Sequence, residues 1–208
     1  MLKRIVTHPG TGTEIVEEIV RRLGARLFIA HAANDIDRAN PDGVILLGGA
    51  DIGPALYGQR ATYTRQTNPA RDAAEWRMVR FALDKGLPVM GICRGHQMLA
   101  VACGASLHQD MEREGVTDHH PNRHTLSVQP LLVAHMPRFH QVNSYHHQAI
   151  KARPFGFLPM AWSPDGIIEA IWRPGYLGVQ FHPELLYPAD HSWIRLFEWF
   201  VRDELDES

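Results

Sequence analysis

Two short runs, Gly43–Leu47 and Leu87–Ile92, are apolar at every position. A half-exposed strand alternates apolar and polar residues, so a run with no polar face must be covered on both sides. That requirement points to a parallel sheet with helices above and below it. Each run also ends in glycine-bearing sequence, Gly48-Gly49 after the first and Gly91-Ile92-Cys93-Arg94-Gly95 across the end of the second. Tight turns are therefore expected where these strands stop.

The surrounding pattern fits. Leu2–Thr7 is a short apolar strand candidate, and Thr13–Leu23 places Ile15, Ile19 and Leu23 at helical spacing before Gly24 ends the helix. Ala25–Ala30 reads as another strand and residues 50–70 as loop. Arg71–Asp84 reads as a helix with Trp76, Val79, Arg80 and Leu83 on adjacent turns, and Gln97–Cys103 as an apolar helix. The order β-α-β-α is that of an α/β domain with a mostly parallel sheet. Phe157–Trp162, Ile167–Trp172 and Leu177–Phe181, joined by Ser163-Pro164-Asp165-Gly166 and Arg173-Pro174-Gly175-Tyr176, predict an antiparallel extension. Trp193–Val201 predicts a closing amphipathic helix. No periodicity assigns residues 108–150, which are rich in His and Pro. The length of 208 residues suits one domain over the whole chain, 1–208.

A strand, then Gly-x-Cys-x-Gly, then a helix is the cysteine form of a nucleophile elbow. The turn would hold Cys93 out at the carboxyl end of the sheet, with glycines where a Cβ would strike neighbouring backbone. The partial positive charge of a helix start favours thiolate over thiol. The N–H of Arg94 would face a developing oxyanion. Cys103, inside an apolar helix, reads as packed core.

His182 ends the last predicted strand, with Glu184 two residues on. Strand alternation would put both side chains on one side, where the carboxylate fixes the imidazole tautomer and stabilises the imidazolium. Pro183, lacking an N–H, is consistent with a strand stopping there. Strand ends of a parallel sheet share one edge, so Cys93 and His182 can meet.

Gly91–Gln97, together with His182-Pro183-Glu184 further on, resembles the class I glutamine amidotransferase superfamily. Gly48–Pro54 with Tyr57-Gly58, Arg71–Glu75, Val142–Gln148 and Asp165–Ala170 are similar to one branch of it, the γ-glutamyl hydrolase-like (peptidase C26) proteins. That branch includes hydrolases of γ-glutamyl-polyamine and γ-glutamyl-aminobutyrate intermediates. The resemblance implies a flavodoxin-like α/β fold and a triad of Cys93, His182 and Glu184. It implies hydrolysis of a γ-glutamyl amide through a thioester on Cys93, releasing glutamate and an amine. It also implies a second oxyanion donor from the Gly48-Gly49 turn, Gln97 beside the glutamyl group, and Ser144, Tyr145 and His146 bordering the pocket. The alternative within the superfamily is a glutaminase subunit that passes ammonia to a synthase partner. A binding-only relative would keep the fold without a working Cys93. Two departures from the branch, a short stretch before Gly43 and a compressed 108–140, bear on the pocket for the leaving amine.

Composition removes other classes. Formal net charge is -2 with no basic run, a poor surface for nucleic acid. No stretch approaches the roughly 18 apolar residues of a membrane span, and Met1–Val6 turns polar too soon for a signal peptide. Two cysteines exclude a disulfide framework and suit a reducing, cytoplasmic setting. Thirteen histidines raise the question of a metal, at His119, His120 and His124 or at His146 and His147. Adjacent histidines on a strand face opposite ways, and neither Cys has zinc-site spacing, so no metal and no cofactor are expected. The expected ligand is a small γ-glutamyl compound, and the oligomeric state, a homodimer included, is left open.

Overall fold

The computed structural model describes residues 2–116, 123–137, 141–202 and 204–206. The elements in chain order are β1 (Lys3–Thr7), α1 (Thr13–Arg22), β2 (Ala25–Ile29), α2 (Asp35–Ala39), β3 (Gly43–Leu46), α3 (Pro69–Lys85), β4 (Val89–Ile92) and α4 (Arg94–Ala102). There follow β5 (Ser106–His108), β6 (His124–Thr125), β7 (Ser127–Val128), α5 (Pro130–Val133), β8 (Gln141–Val142) and β9 (Ala149–Ala152). The chain closes with β10 (Leu158–Trp162), β11 (Ile168–Arg173), β12 (Tyr176–Val179), α6 (Pro183–Leu186) and α7 (Ile194–Val201).

The main sheet has eight strands in the order β2-β1-β3-β4-β12-β11-β10-β7. From β2 to β12 neighbours run parallel, and from β12 to β7 antiparallel. This is the α/β sheet with an antiparallel extension that the two apolar runs and the later meander predict. β3 and β4 are buried at every position because both lie inside the sheet with helices on each face. One apolar layer joins α1 and α7 to the sheet through Ile19, Leu196, Phe197 and Phe200. The opposite layer joins α3 and α4 through Met78, Val79, Met98 and Leu99. Full burial of each such side chain stabilises the fold by roughly 1.5–3 kcal/mol.

The boundaries differ from the sequence reading where polar chemistry overrides periodicity. α3 begins at Pro69, because the Asn68 side chain accepts from the Arg71 N–H at 3.1 Å and Pro69 suits the first helical position. It ends where Gly86 takes φ 64°. α4 begins at Arg94, three residues before the apolar pattern does, because Arg94, His96 and Gln97 are buried. In the unassigned region, β5 pairs antiparallel with β9 and β6 with β8, small two-stranded sheets built from residues distant in sequence. Among the described residues no helix is long and apolar enough to cross a membrane.

Candidate active site

Neighbouring strands β3, β4 and β12 end at the same edge of the sheet. β3 delivers Gly48 and Gly49 there, β4 delivers Cys93, and β12 leads to His182. The Cys93 N–H still donates to Val179 O at 2.8 Å. The chain then turns sharply, with Cys93 at φ 53° and ψ -107°. Positive φ at a side chain other than glycine costs on the order of 1–3 kcal/mol and persists only where the surroundings impose it. Here β3 and β4 impose it. A Cβ on Gly91 would sit 2.5 Å from Gly95 O, and one on Gly95 would overlap Leu46 O. The start of α4 is therefore pressed directly onto both strands, and the elbow expected from Gly-x-Cys-x-Gly is present.

His182 is 3% exposed and is held at both ends. Its N–H donates to Asn143 Oδ1 at 2.8 Å, and Asn143 Nδ2 donates to its carbonyl at 3.1 Å. Its Nδ1 lies 2.6 Å from Glu184 Oε1. With Glu184 as acceptor, Nδ1 carries a proton and Nε2 is left for Cys93, which lies close enough to raise the ring's pKa. The pair sits against bare backbone. A Cβ on Gly48 would overlap His182 Cε1, and a Cβ on Gly12 would lie 2.6 Å from Glu184 Cγ. Burial pulls the imidazole toward the neutral form, but hydrogen bonds and charge from Cys93 and Glu184 outweigh it and push its pKa up to about 10.

The reason these two side chains meet is not the expected one. β12 ends at Val179, and His182 caps the short helix α6, which places Glu184 in its first turn. Strand alternation therefore does not pair them. Pro183, read as a strand stop, is instead the first helical residue, where its fixed φ is favourable.

A cleft of about 40 Å³ lies over Cys93, lined among others by Gly49, Arg94, Gln97, Tyr145 and His146. It shares Tyr145, His146 and His147 with a cavity of about 420 Å³ that Arg65, Asp110, Met111 and Glu112 also line. Gln97 Nε2 donates to Gln148 O at 2.9 Å and to Gln180 Oε1 at 3.0 Å. Tyr145 is 64% exposed, with its ring centroid 5.9 Å from that of His182. Two expected pocket residues are placed differently: Gly48 packs on His182, and Ser144 is buried outside the cleft lining. His146 and His147 diverge. His146 Nδ1 lies 2.9 Å from Gln148 O, with Nε2 facing Glu169, whereas His147 Nε2 lies 2.8 Å from Asp51. Among the described residues no three His, Cys, Asp or Glu side chains converge as metal ligands would. His119 and His120 lie outside those residues.

The Peptidase C26 family model matches residues 13–184. The chain belongs to the peptidase C26 family. Among C26-like relatives, it is 34% identical over 223 residues to the γ-glutamyl-γ-aminobutyrate hydrolase PuuD of Escherichia coli, covering 92% of this chain and 87% of that protein. It is also 34% identical over 172 residues to the glutamine amidotransferase-like protein YvdE of Lactococcus lactis, covering 77% of this chain and 73% of that one. A glutamine amidotransferase structure from Thermotoga maritima shares the fold, with TM-score 0.71, 18% identity and full coverage of both chains. This chain is thus a glutamine amidotransferase-like C26 hydrolase.

Sequence reasoning missed several residues of this C26 site. Gly12 lies between the predicted strand Leu2–Thr7 and the predicted helix Thr13–Leu23, and no local pattern ties it to Glu184. Asn143 lay inside a segment that resembles the branch, yet its grip on His182 joins positions 39 apart. Glu169 is fully buried; burial pushes its carboxyl up, but the imidazoles of His124 and His146, each with Nε2 3.6 Å from Oε1, hold it down at about 2. A signal was available for α3, where Arg71, Asp72 and Glu75 are charged residues on the buried face of a helix.

Proposed function

We propose that this protein hydrolyses a γ-glutamyl amide with Cys93 as nucleophile, His182 as proton carrier and Glu184 as the group that orients and stabilises the imidazolium. The observation that carries this reading is a strained elbow cysteine beside an imidazole whose Nδ1 lies 2.6 Å from a buried carboxylate. The Cys93 thiolate attacks the γ-carbonyl, and the N–H groups of Arg94 and Gly49 receive the oxyanion. His182 then gives its proton to the departing amine, leaving a γ-glutamyl thioester on Cys93. The neutral imidazole takes a proton from water, the hydroxide equivalent attacks the thioester, and glutamate leaves as the thiolate returns. One water is consumed, and one glutamate and one amine are released.

The cavity beside the cleft supports an amide larger than glutamine. An alkyl amine has room in the adjoining space of about 420 Å³, which ammonia would leave unused. The relation to PuuD points the same way. The reading is tested by measuring kcat/KM for a panel of γ-glutamyl amines and for glutamine, with the pure protein alone. The expected result is at least a ~100-fold preference for one γ-glutamyl amine, about 3 kcal/mol of transition-state discrimination. Equal efficiency on glutamine, or no turnover until a synthase is added, would replace it with the ammonia-donating alternative.

A further inference from the structure

The segment after β3 is gripped by buried charges on α3. Arg71 Nε donates to Glu75 Oε1 at 2.7 Å, and Arg71 Nη2 donates at 3.0 Å to the carbonyls of both Leu47 and Gly48. The other Glu75 oxygen takes Arg94 Nη1, and Arg94 Nη2 reaches Asp72. Asp72 in turn accepts the Gly53 N–H at 3.0 Å. One fully buried carboxylate, Glu75, thus links the guanidinium that holds the Leu47 and Gly48 carbonyls to the guanidinium of the residue after Cys93.

Buried ion pairs are a poor way to gain stability, because desolvation offsets much of their attraction and apolar side chains often do as well. What this set does, and apolar packing could not, is orient a peptide group. Gly48 O accepts from Arg71 Nη2 and also from the Thr11 N–H at 3.0 Å. A trans peptide is planar, with its C=O and N–H pointing opposite ways. Fixing the Gly48 carbonyl on Arg71 and Thr11 therefore turns the Gly49 N–H away from them, and Gly49 lines the cleft at Cys93. The Arg71 guanidinium also fills the space a Cβ on Gly49 would need.

We infer that Arg71, braced by Glu75, is a positioning residue that locks the Gly48–Gly49 peptide with its N–H toward the carbonyl under attack. The oxyanion site is then complete in the isolated chain, which needs no partner to assemble it. This rests on the proposed hydrolase function. One preorganised oxyanion donor is worth roughly 10²–10³ in rate, so loosening it should be plain in kcat.

The test uses the full chain with Arg71→Met and Arg71→Lys, the second keeping a charge opposite Glu75 but not the fork that reaches both carbonyls. Turnover is read on L-γ-glutamyl-p-nitroanilide, the Gly49 amide by NMR of [15N]glycine-labelled protein, and Cys93 by iodoacetamide alkylation. In Arg71→Met the Gly49 signal should broaden or double, and kcat should fall about 100-fold with KM within about threefold. Alkylation of Cys93 should stay within about twofold of wild type, because it forms no oxyanion. Arg71→Lys should show the same split, smaller in size, and carries the test if Arg71→Met does not fold. An unchanged Gly49 signal, an unchanged kcat, or a loss of alkylation parallel to that of kcat would overturn the inference. Wild type that turns over no γ-glutamyl amide, with a Gly49 signal still responding to Arg71→Lys, would sink the proposed function and leave the clamp standing.

Discussion

Replacing Cys93 by Ala should change where His182 titrates. The rise of the imidazole from 6.5 to about 10 amounts, at 1.36 kcal/mol per pH unit, to about 5 kcal/mol of preference for the protonated form. Burial opposes that preference, so the partners supply more than the net value. Cys93 and Glu184, on the two sides of the ring, both raise its pKa. Removing the sulfur removes one of the two partners that raise it. His182 in Cys93→Ala should therefore titrate below its wild-type midpoint of about 10, closer to the ordinary 6.5. The assay is NMR of [13C,15N]histidine-labelled protein, with the His182 signal assigned by its loss in His182→Gln. In active enzyme the protonated ring serves the leaving amine. Because the pKa is raised, kcat should hold through neutral pH and fall as pH passes through about 10. A His182 midpoint unchanged by Cys93→Ala, or one near 6.5 in wild type, would refute the reasoning.

Iodoacetamide should label Cys93 far faster than Cys103, whose thiol burial pushes up, and glutamine should protect Cys93; equal labelling would contradict the assignment. Gly48→Ala places a methyl on the His182 ring, so it should lower kcat about 100-fold or more, read by steady-state kinetics, while moving Tm far less; full activity would show the ring free to shift. His182→Ala should lose nearly as much kcat as Cys93→Ala, since members of one unit are not additive, while Glu184→Gln should lose less because it orients the ring; an equal loss would give Glu184 a larger part.

Much of the frame can be read from sequence because it depends on local periodicity. The apolar runs of β3 and β4, the spacing of α1 and the turns around β11 each carry their own signal. The elbow is legible for the same reason, since strand, glycine, cysteine, glycine and helix are contiguous. What stays hidden depends on partners distant in sequence. The polar first turn of α4 is helical because Arg94 meets Glu75 and Asp72 on another helix, which no window around Arg94 reveals. His182 and Glu184 invite a strand reading, and only the end of β12 at Val179 shows that a helix start joins them. Gly12 reaches Glu184 across 172 positions, and β5 pairs with β9 across a segment without periodicity.

The central claim is a γ-glutamyl thioester on Cys93, and acid quenching followed by peptide mass spectrometry tests it directly. Protein mixed with excess L-γ-glutamyl-p-nitroanilide and quenched during turnover should carry a glutamyl adduct on the Cys93 peptide and none on the Cys103 peptide. Glu184→Gln should still form that adduct, more slowly, and His182→Ala should accumulate little of it. Steady turnover with no adduct on Cys93 at any quench time, or with the adduct on Cys103, would contradict the account.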